Sequence, residues 1–164
     1  MVGPEGRAAM QIRIRESERA DLLGVLAVYG QPELDAGKLL TLEQAEKIYR
    51  VFQQYPFYRL YVAVAGEKIV GTFALLIMDN LAHLGKKSAV VEDVGVLPEV
   101  QGQGVGKLMM QFAMEQAKTH QCYKLVLSSN AKRERAHQFY DSLGFDRHGY
   151  SFRVDFLEQD DQDK

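Results

Sequence analysis

Val96-Leu97-Pro98-Glu99-Val100-Gln101-Gly102-Gln103-Gly104-Val105-Gly106-Lys107 is the stretch on which the reading of this chain turns. It ends the β-rich run Ala89-Val90-Val91-Glu92-Asp93-Val94-Gly95-Val96. Apolar residues at helical spacing follow it: Val105, Leu108, Met109, Phe112 and Ala113. Glycines let a backbone turn sharply and approach a ligand closely, because no Cβ intervenes. A helix opening at such a turn aims its free N–H groups and the positive end of its dipole at the same point. The combination is a phosphate site.

Two phosphate-binding patterns fail on spacing. A P-loop requires G-x-x-x-x-G-K-[ST], but Gly106-Lys107 is followed by Leu108, and Gln101 stands five before Gly106. A dinucleotide fingerprint requires G-x-G-x-x-G after the first strand of a βαβ unit. Here the glycines run G-x-G-x-G and lie past mid-chain. A glycine-rich surface turn before an ordinary helix is the plainer alternative.

A chain of 164 residues suits one domain with a real core. Hydrophobic residues make up 46% and charged residues 26%, ordinary globular values. A net charge of −2 gives no drive toward nucleic acid or an anionic membrane. The single cysteine, Cys122, cannot form an internal disulfide, and no Cys/His cluster has zinc spacing, so no metal is expected. No apolar run reaches membrane-spanning length and no signal-peptide core opens the chain, so a cytoplasmic location is expected.

Residues 1–10 read as a loose leader, 11–157 as one domain and 158–164 as a polar tail. Gln11 to Arg15 suits a short strand. Ser17 suits the N-cap of a helix from Glu18 to Tyr29, with Leu22, Leu23, Leu26 and Tyr29 on its apolar side. Thr41-Leu42-Glu43-Gln44 has capping-box form ahead of the stripe Leu42, Ala45, Ile48, Tyr49 and Phe52. The runs 58–65 and 69–78, joined at Gly66, read as a hairpin. Strands over 89–96 and 123–128 follow, with the helix after the glycine loop between them. Ala136, Phe139, Tyr140 and Leu143 mark another helix, which Gly144 ends. Phe152, Val154 and Phe156 alternate with Ser151, Arg153 and Asp155, which predicts a final strand. The order β-α-α-β-β-β-α-β-α-β gives an α/β (α+β) fold with helices covering a mixed sheet.

The segment Val96 to Gly106, with Q/R-x-x-G-x-G/A after a strand ending in Val-x-Pro, resembles the acetyl-CoA loop of the GNAT superfamily of N-acetyltransferases. The element order resembles that fold over nearly the whole chain, most strongly from 91 to 150. The resemblance implies a mixed central sheet, helices on both faces, and two parallel strands that splay around the pantetheine arm of acetyl-CoA. It implies direct attack of an amine on the thioester in a ternary complex, with room for a homodimer. The phosphate-side contacts fall on Gln101, Gly102, Gln103, Gly104, Val105, Gly106 and Lys107. Backbone groups of Val94, Gly95 and Val96 would meet the thioester and pantetheine.

Acetyl transfer needs a deprotonated amine, stabilisation of the thioester oxygen and a proton for the leaving thiolate. Neighbours on a strand face opposite ways, so only one of Glu92 and Asp93 can look into a cleft. Val91 to Val96 resembles the same stretch of polyamine and glucosamine-phosphate acetyltransferases, which favours Glu92 as the base, through a water. Asp93, or a solvated Glu92, is the alternative. Ala136-His137-Gln138-Phe139-Tyr140 resembles the family's fourth-helix signature, in which Tyr140 would protonate the thiolate and Ala136 would line the cofactor. A core aromatic is the plain alternative for Tyr140. Asn130 would meet the pantetheine amides or cap the helix after it. Lys132, Arg133 and Arg135 suit a solvated face or the 3′-phosphate. Residues 130–140 also resemble aminoalkylphosphonate acetyltransferases, so small amines are the first-choice acceptors. A protein lysine or N-terminal acetyltransferase and a non-catalytic acetyl-CoA-binding module are the alternatives. The acceptor side would be set by residues 29–41, 55–58 and 148–152.

Overall fold

The computed structural model describes residues 10–156. The expected tail and all but the last residue of the expected leader lie outside them. The described chain divides into two compact units, one ending at Leu127 and one beginning at Ser128.

The first unit is built on five strands: β1 (Ile12–Glu16), β2 (Tyr58–Ala65), β3 (Lys68–Met78), β4 (Lys87–Val96) and β5 (Cys122–Val126). They lie side by side in that order. The first four are antiparallel neighbours, and β5 runs parallel to β4. Alternation along β2 assigns the helices to the two faces. Leu60, Val62 and Val64 point toward α1 (Leu22–Tyr29) and α2 (Leu42–Phe52), where they meet Leu22, Val25, Leu26 and Ala45. Tyr61 points the other way, toward Phe73 at 5.2 Å and Phe112 of α3 (Val105–Thr119) at 5.0 Å. Met109 and Met110 are fully buried. Each such fully buried apolar side chain contributes about 1.5–3 kcal/mol. The fold is α+β, with helices on both faces of a mixed sheet.

Two irregularities in β4 shape the far end of the sheet. Its parallel pairing with β5 runs from Lys87 opposite Cys122 to Val90 opposite Val126 and stops there. β5 itself ends at Val126, so β4 continues to Val96 without a parallel neighbour. Against β3, Glu92 pairs with Ala74 and Gly95 with Thr72, so Asp93 and Val94 together oppose the single residue Phe73. Asp93 takes φ of +52° in that bulge.

Local signals succeed where the chain supplies its own hydrogen bonds. Thr41 and Gln44 form the predicted capping box, at 3.2 and 2.9 Å. The first helix departs from expectation. Ser17 is not its N-cap: its N–H pairs with the Leu60 carbonyl at 2.8 Å, and its buried hydroxyl has no partner. A 3-10 turn, Arg19–Asp21, intervenes, capped by Glu18. Arg15 from β1 grips Asp21 at 2.6 and 2.8 Å, which fixes that turn. Leu23 is exposed, and the buried side carries Leu22, Val25, Leu26 and Val28.

The second unit holds α4 (Glu134–Ser142), which ends at Gly144 with φ of +86°. Arg147 pairs with Asp141 at 2.7 Å just beyond it. The predicted final strand does not form. Residues 151–156 carry no strand pairing among the described residues, and Phe152 and Phe156 are each 92% exposed. Alternation supplies a face, but a strand needs a neighbour to complete its hydrogen bonds.

Candidate active site

β4 carries the chain to the site. Beyond Val96, Leu97 donates to the Val70 carbonyl at 2.8 Å, and a 3-10 turn, Pro98–Val100, buries Val100. The glycine loop then crosses to α3. Gly102 and Gly104 take φ of +75° and +87°, the left-handed region that glycine occupies without penalty. Gly104 is the N-cap of α3, and no side chain caps that end. The first bond of the helix runs from Leu108 N–H to the Gly104 carbonyl. The N–H groups of Val105, Gly106 and Lys107 therefore precede the helical ladder. Gln101 donates to the Val96 carbonyl at 3.1 Å and Gln103 to the Glu99 carbonyl at 3.2 Å, while Glu99 pairs with Lys68 at 3.0 Å. These contacts hold the loop from below and leave its glycines open: a Cβ on Gly102 or Gly104 would meet nothing within 4 Å.

The bulge changes the reading of the two carboxylates. Strict alternation would send Glu92 and Asp93 to opposite faces, but the left-handed residue breaks the period. Burial and then the charges of both Asp93 and Glu92 push the Tyr58 phenol up. Burial, followed by Asp93, pushes the Tyr29 phenol well above its ordinary value. Glu92 is lifted by burial and by Asp93, and Asp93 by burial and by Asp35. The charge of Asp93 thus reaches Tyr29, Tyr58 and Glu92, and that of Asp35 reaches Tyr29 and Asp93. Tyr58 is seated by Phe52, stacked at 4.2 Å, and by the edge of Tyr55 at 5.5 Å. Asp35 is held by its N–H bond to the Tyr29 carbonyl, 3.1 Å. Tyr29, Asp35 and Tyr58 lie in the segments expected to face an acceptor, although no single one of them stood out in the sequence.

Gly95 lets the turn after α1 lie directly on β4. A Cβ there would stand 2.8 Å from Val28, 3.0 Å from Leu34 and 3.7 Å from the Gln31 amide. Gln31 itself, which the sequence reading held only within the acceptor-side stretch 29–41, is buried against β4.

In the second unit, Tyr140 lies on α4 beside Phe139 at 5.2 Å and Phe145 at 5.6 Å. Burial pushes its phenol up, so it remains protonated at neutral pH. Asn130 does not cap α4, whose N-cap is Arg133. Its side chain accepts from Lys132 N–H at 2.9 Å, and its carbonyl meets His137 at 2.9 Å. Ala136 is half-buried on the same helix.

A separate cavity of about 380 Å³, lined by residues including Lys86, Lys87, His120 and Cys122, sits at the opposite end of β4 from the glycine loop. Among the described residues, no group of three His, Cys, Asp or Glu could hold a metal, and no helix is long and apolar enough to cross a membrane.

Comparison with known proteins agrees with this geometry. The chain is 28% identical over 154 residues to a glucosamine 6-phosphate N-acetyltransferase of Trypanosoma brucei brucei, covering 89% of this chain and 97% of that protein. It is 33% identical over 95 residues to an aminoalkylphosphonate N-acetyltransferase of Salmonella typhimurium, covering 58% of this chain and 60% of the relative. The crystal structure of a Trypanosoma brucei acetyltransferase superposes with a TM-score of 0.79 at 27% identity, covering 89% of this chain and all (100%) of that one. The model of the acetyltransferase (GNAT) family matches residues 31–145, and the chain is an N-acetyltransferase belonging to that family.

Proposed function

We propose that the protein transfers the acetyl group of acetyl-CoA to a primary amine of a small molecule, by direct attack in a ternary complex. The observation that carries this reading is the stretch of β4 beyond Val90 that β5 leaves unpaired, with the glycine loop and the start of α3 at the far end of β4. A strand edge left without its neighbour exposes backbone N–H and C=O groups that an extended amide-bearing arm can complete. The open glycines and leading N–H groups suit a pyrophosphate. The named acceptors of the two relatives, an amino sugar phosphate and an aminoalkylphosphonate, support a small amine as acceptor.

Glu92 takes the proton of the incoming amine through a water. Its pKa, raised by burial and by Asp93, makes it a stronger base than an ordinary carboxylate. Asp93 and Asp35 add negative charge that favours an ammonium near the site. The backbone of Val94, Gly95 and Val96 serves the thioester and pantetheine. Gln101, Gly102, Gln103, Gly104, Val105, Gly106 and Lys107 serve the phosphates. Asn130, Ala136 and Tyr140 keep the roles that the family resemblance gives them, and the neutral phenol of Tyr140 suits a proton donor to the thiolate. On the same reading the protein works in the cytoplasm and can form a homodimer, which sedimentation would register.

The deciding experiment is turnover of acetyl-CoA across a panel of amines, amino sugars, aminophosphonates and lysine peptides. Acetylated product from at least one small amine is expected. Product from peptides alone would replace this reading with protein acetylation, and no product from any acceptor would leave only cofactor binding.

A further inference from the structure

Two side-chain amides converge on a single carbonyl at the end of β4. Gln31 Nε2 donates to the Val28 carbonyl at 2.8 Å and to the Val96 carbonyl at 3.2 Å. Gln101 Nε2 donates to that same Val96 carbonyl at 3.1 Å. Both partners of Gln31 are carbonyl oxygens, so its amino group must face them, and its two N–H bonds are used in full. A carbonyl has two lone pairs and can accept both amides. Gln31 is only 8% exposed, so losing either bond would leave a buried polar group unpaired.

The geometry ties together two segments that the sequence keeps far apart. Gln31 opens the turn of residues 31–37, which carries Asp35 and Leu34. Leu34 and Val28 press on Gly95, so the turn rests on the strand just before the shared carbonyl. Gln101 opens the glycine loop on the other side of that carbonyl.

We infer that Gln31 is a positioning residue, fastening the acceptor-side turn to the end of the cofactor strand. The Val96 carbonyl joins that turn to the glycine loop. Acetyl-CoA bound at the loop then firms the turn before the amine arrives. This rests on the acetyl-CoA reading given above. The physical warrant is a continuous hydrogen-bonded path of two amides and one carbonyl, not proximity alone. By linkage, an acceptor that orders the turn must in return favour acetyl-CoA.

Hydrogen–deuterium exchange with and without saturating acetyl-CoA tests it, with no need to know the acceptor. In the native protein, exchange should slow across residues 97–107 and also across 28–38. The second effect should be roughly three- to tenfold, the factor that one hydrogen bond is worth. In Gln31→Leu the loop should still be protected while the turn no longer responds. Gln101→Ala breaks the same path from its exposed end and decides the matter if Gln31→Leu does not fold, compared at an acetyl-CoA concentration that protects its loop as in the native protein. Protection of the loop with no response of the turn in the native protein overturns the inference. So does a turn that responds equally in the variants. Absence of protection in both segments overturns the acetyl-CoA reading, and the inference with it.

Discussion

Asp93 holds φ of +52° in the β4 bulge, beside the like charge of Asp35. Asparagine occupies the left-handed region as readily as aspartate and carries no charge. Asp93→Asn is therefore expected to fold with an unchanged or higher melting temperature at pH 7. The sign follows from the raised pKa. A carboxyl lifted in the folded state stabilises that state while protonated, and the contribution is lost as pH rises through the lifted value. The advantage of Asp93→Asn should then vanish below about pH 4, the ordinary aspartate pKa, where the native side chain is neutral in both states. A variant that melts lower at pH 7 would show that the charge serves the fold. Glu92 gives a complementary kinetic test. Glu92→Gln should depress acetyl transfer most near neutral pH and progressively less at alkaline pH, where more amine is already neutral. A uniform loss across the pH range would remove the base role. The sequence identified both carboxylates but placed them on opposite faces. It could not reveal the bulge at Asp93, because a bulge is set by pairing with β3 and leaves no mark in the alternation of β4 itself.

At the scale of elements, legibility followed where the hydrogen bonds go. The glycine loop could be read because its positive φ values demand glycine whatever packs around it. The α2 cap could be read because both of its bonds lie between Thr41 and Gln44. The start of α1 could not, since Ser17 spends its N–H on β2 and Arg15 of β1 decides where the turn begins. The stretch 151–156 has strand alternation without strand pairing, because pattern specifies a face and not a neighbour. The loop supplies its own prediction. In Gly104→Val the φ of +87° becomes costly, about 1–2 kcal/mol, although no protein atom lies within 4 Å of the new Cβ. The melting temperature should fall by roughly 2–8 °C. The larger effect should be loss of acetyl-CoA binding in calorimetry, because on the proposed reading the added side chain would stand where the ligand approaches. Full binding by this variant would move the phosphate site away from the loop.

At the scale of the molecule, a ligand that binds only the folded state must stabilise it by mass action. The glycine loop lies within the unit that carries the sheet, and the loop's two ends are β4 and α3, both central to its core. Binding there should therefore be felt by the transition that melts the whole sheet. At acetyl-CoA a hundredfold above its dissociation constant, the gain is about 2.7 kcal/mol. For a chain of this size that corresponds to roughly 5–11 °C in melting temperature. The phosphates should dominate the effect, since on the proposed reading the open glycines and the leading N–H groups of α3 would address them. Coenzyme A without the acetyl group should then give most of the same shift, and pantetheine without phosphates little. Scanning calorimetry with the three ligands separates the contributions. An equal shift from pantetheine would assign the affinity to the stretch of β4 that β5 leaves unpaired, and no shift with millimolar acetyl-CoA would falsify the assignment of this loop as its site.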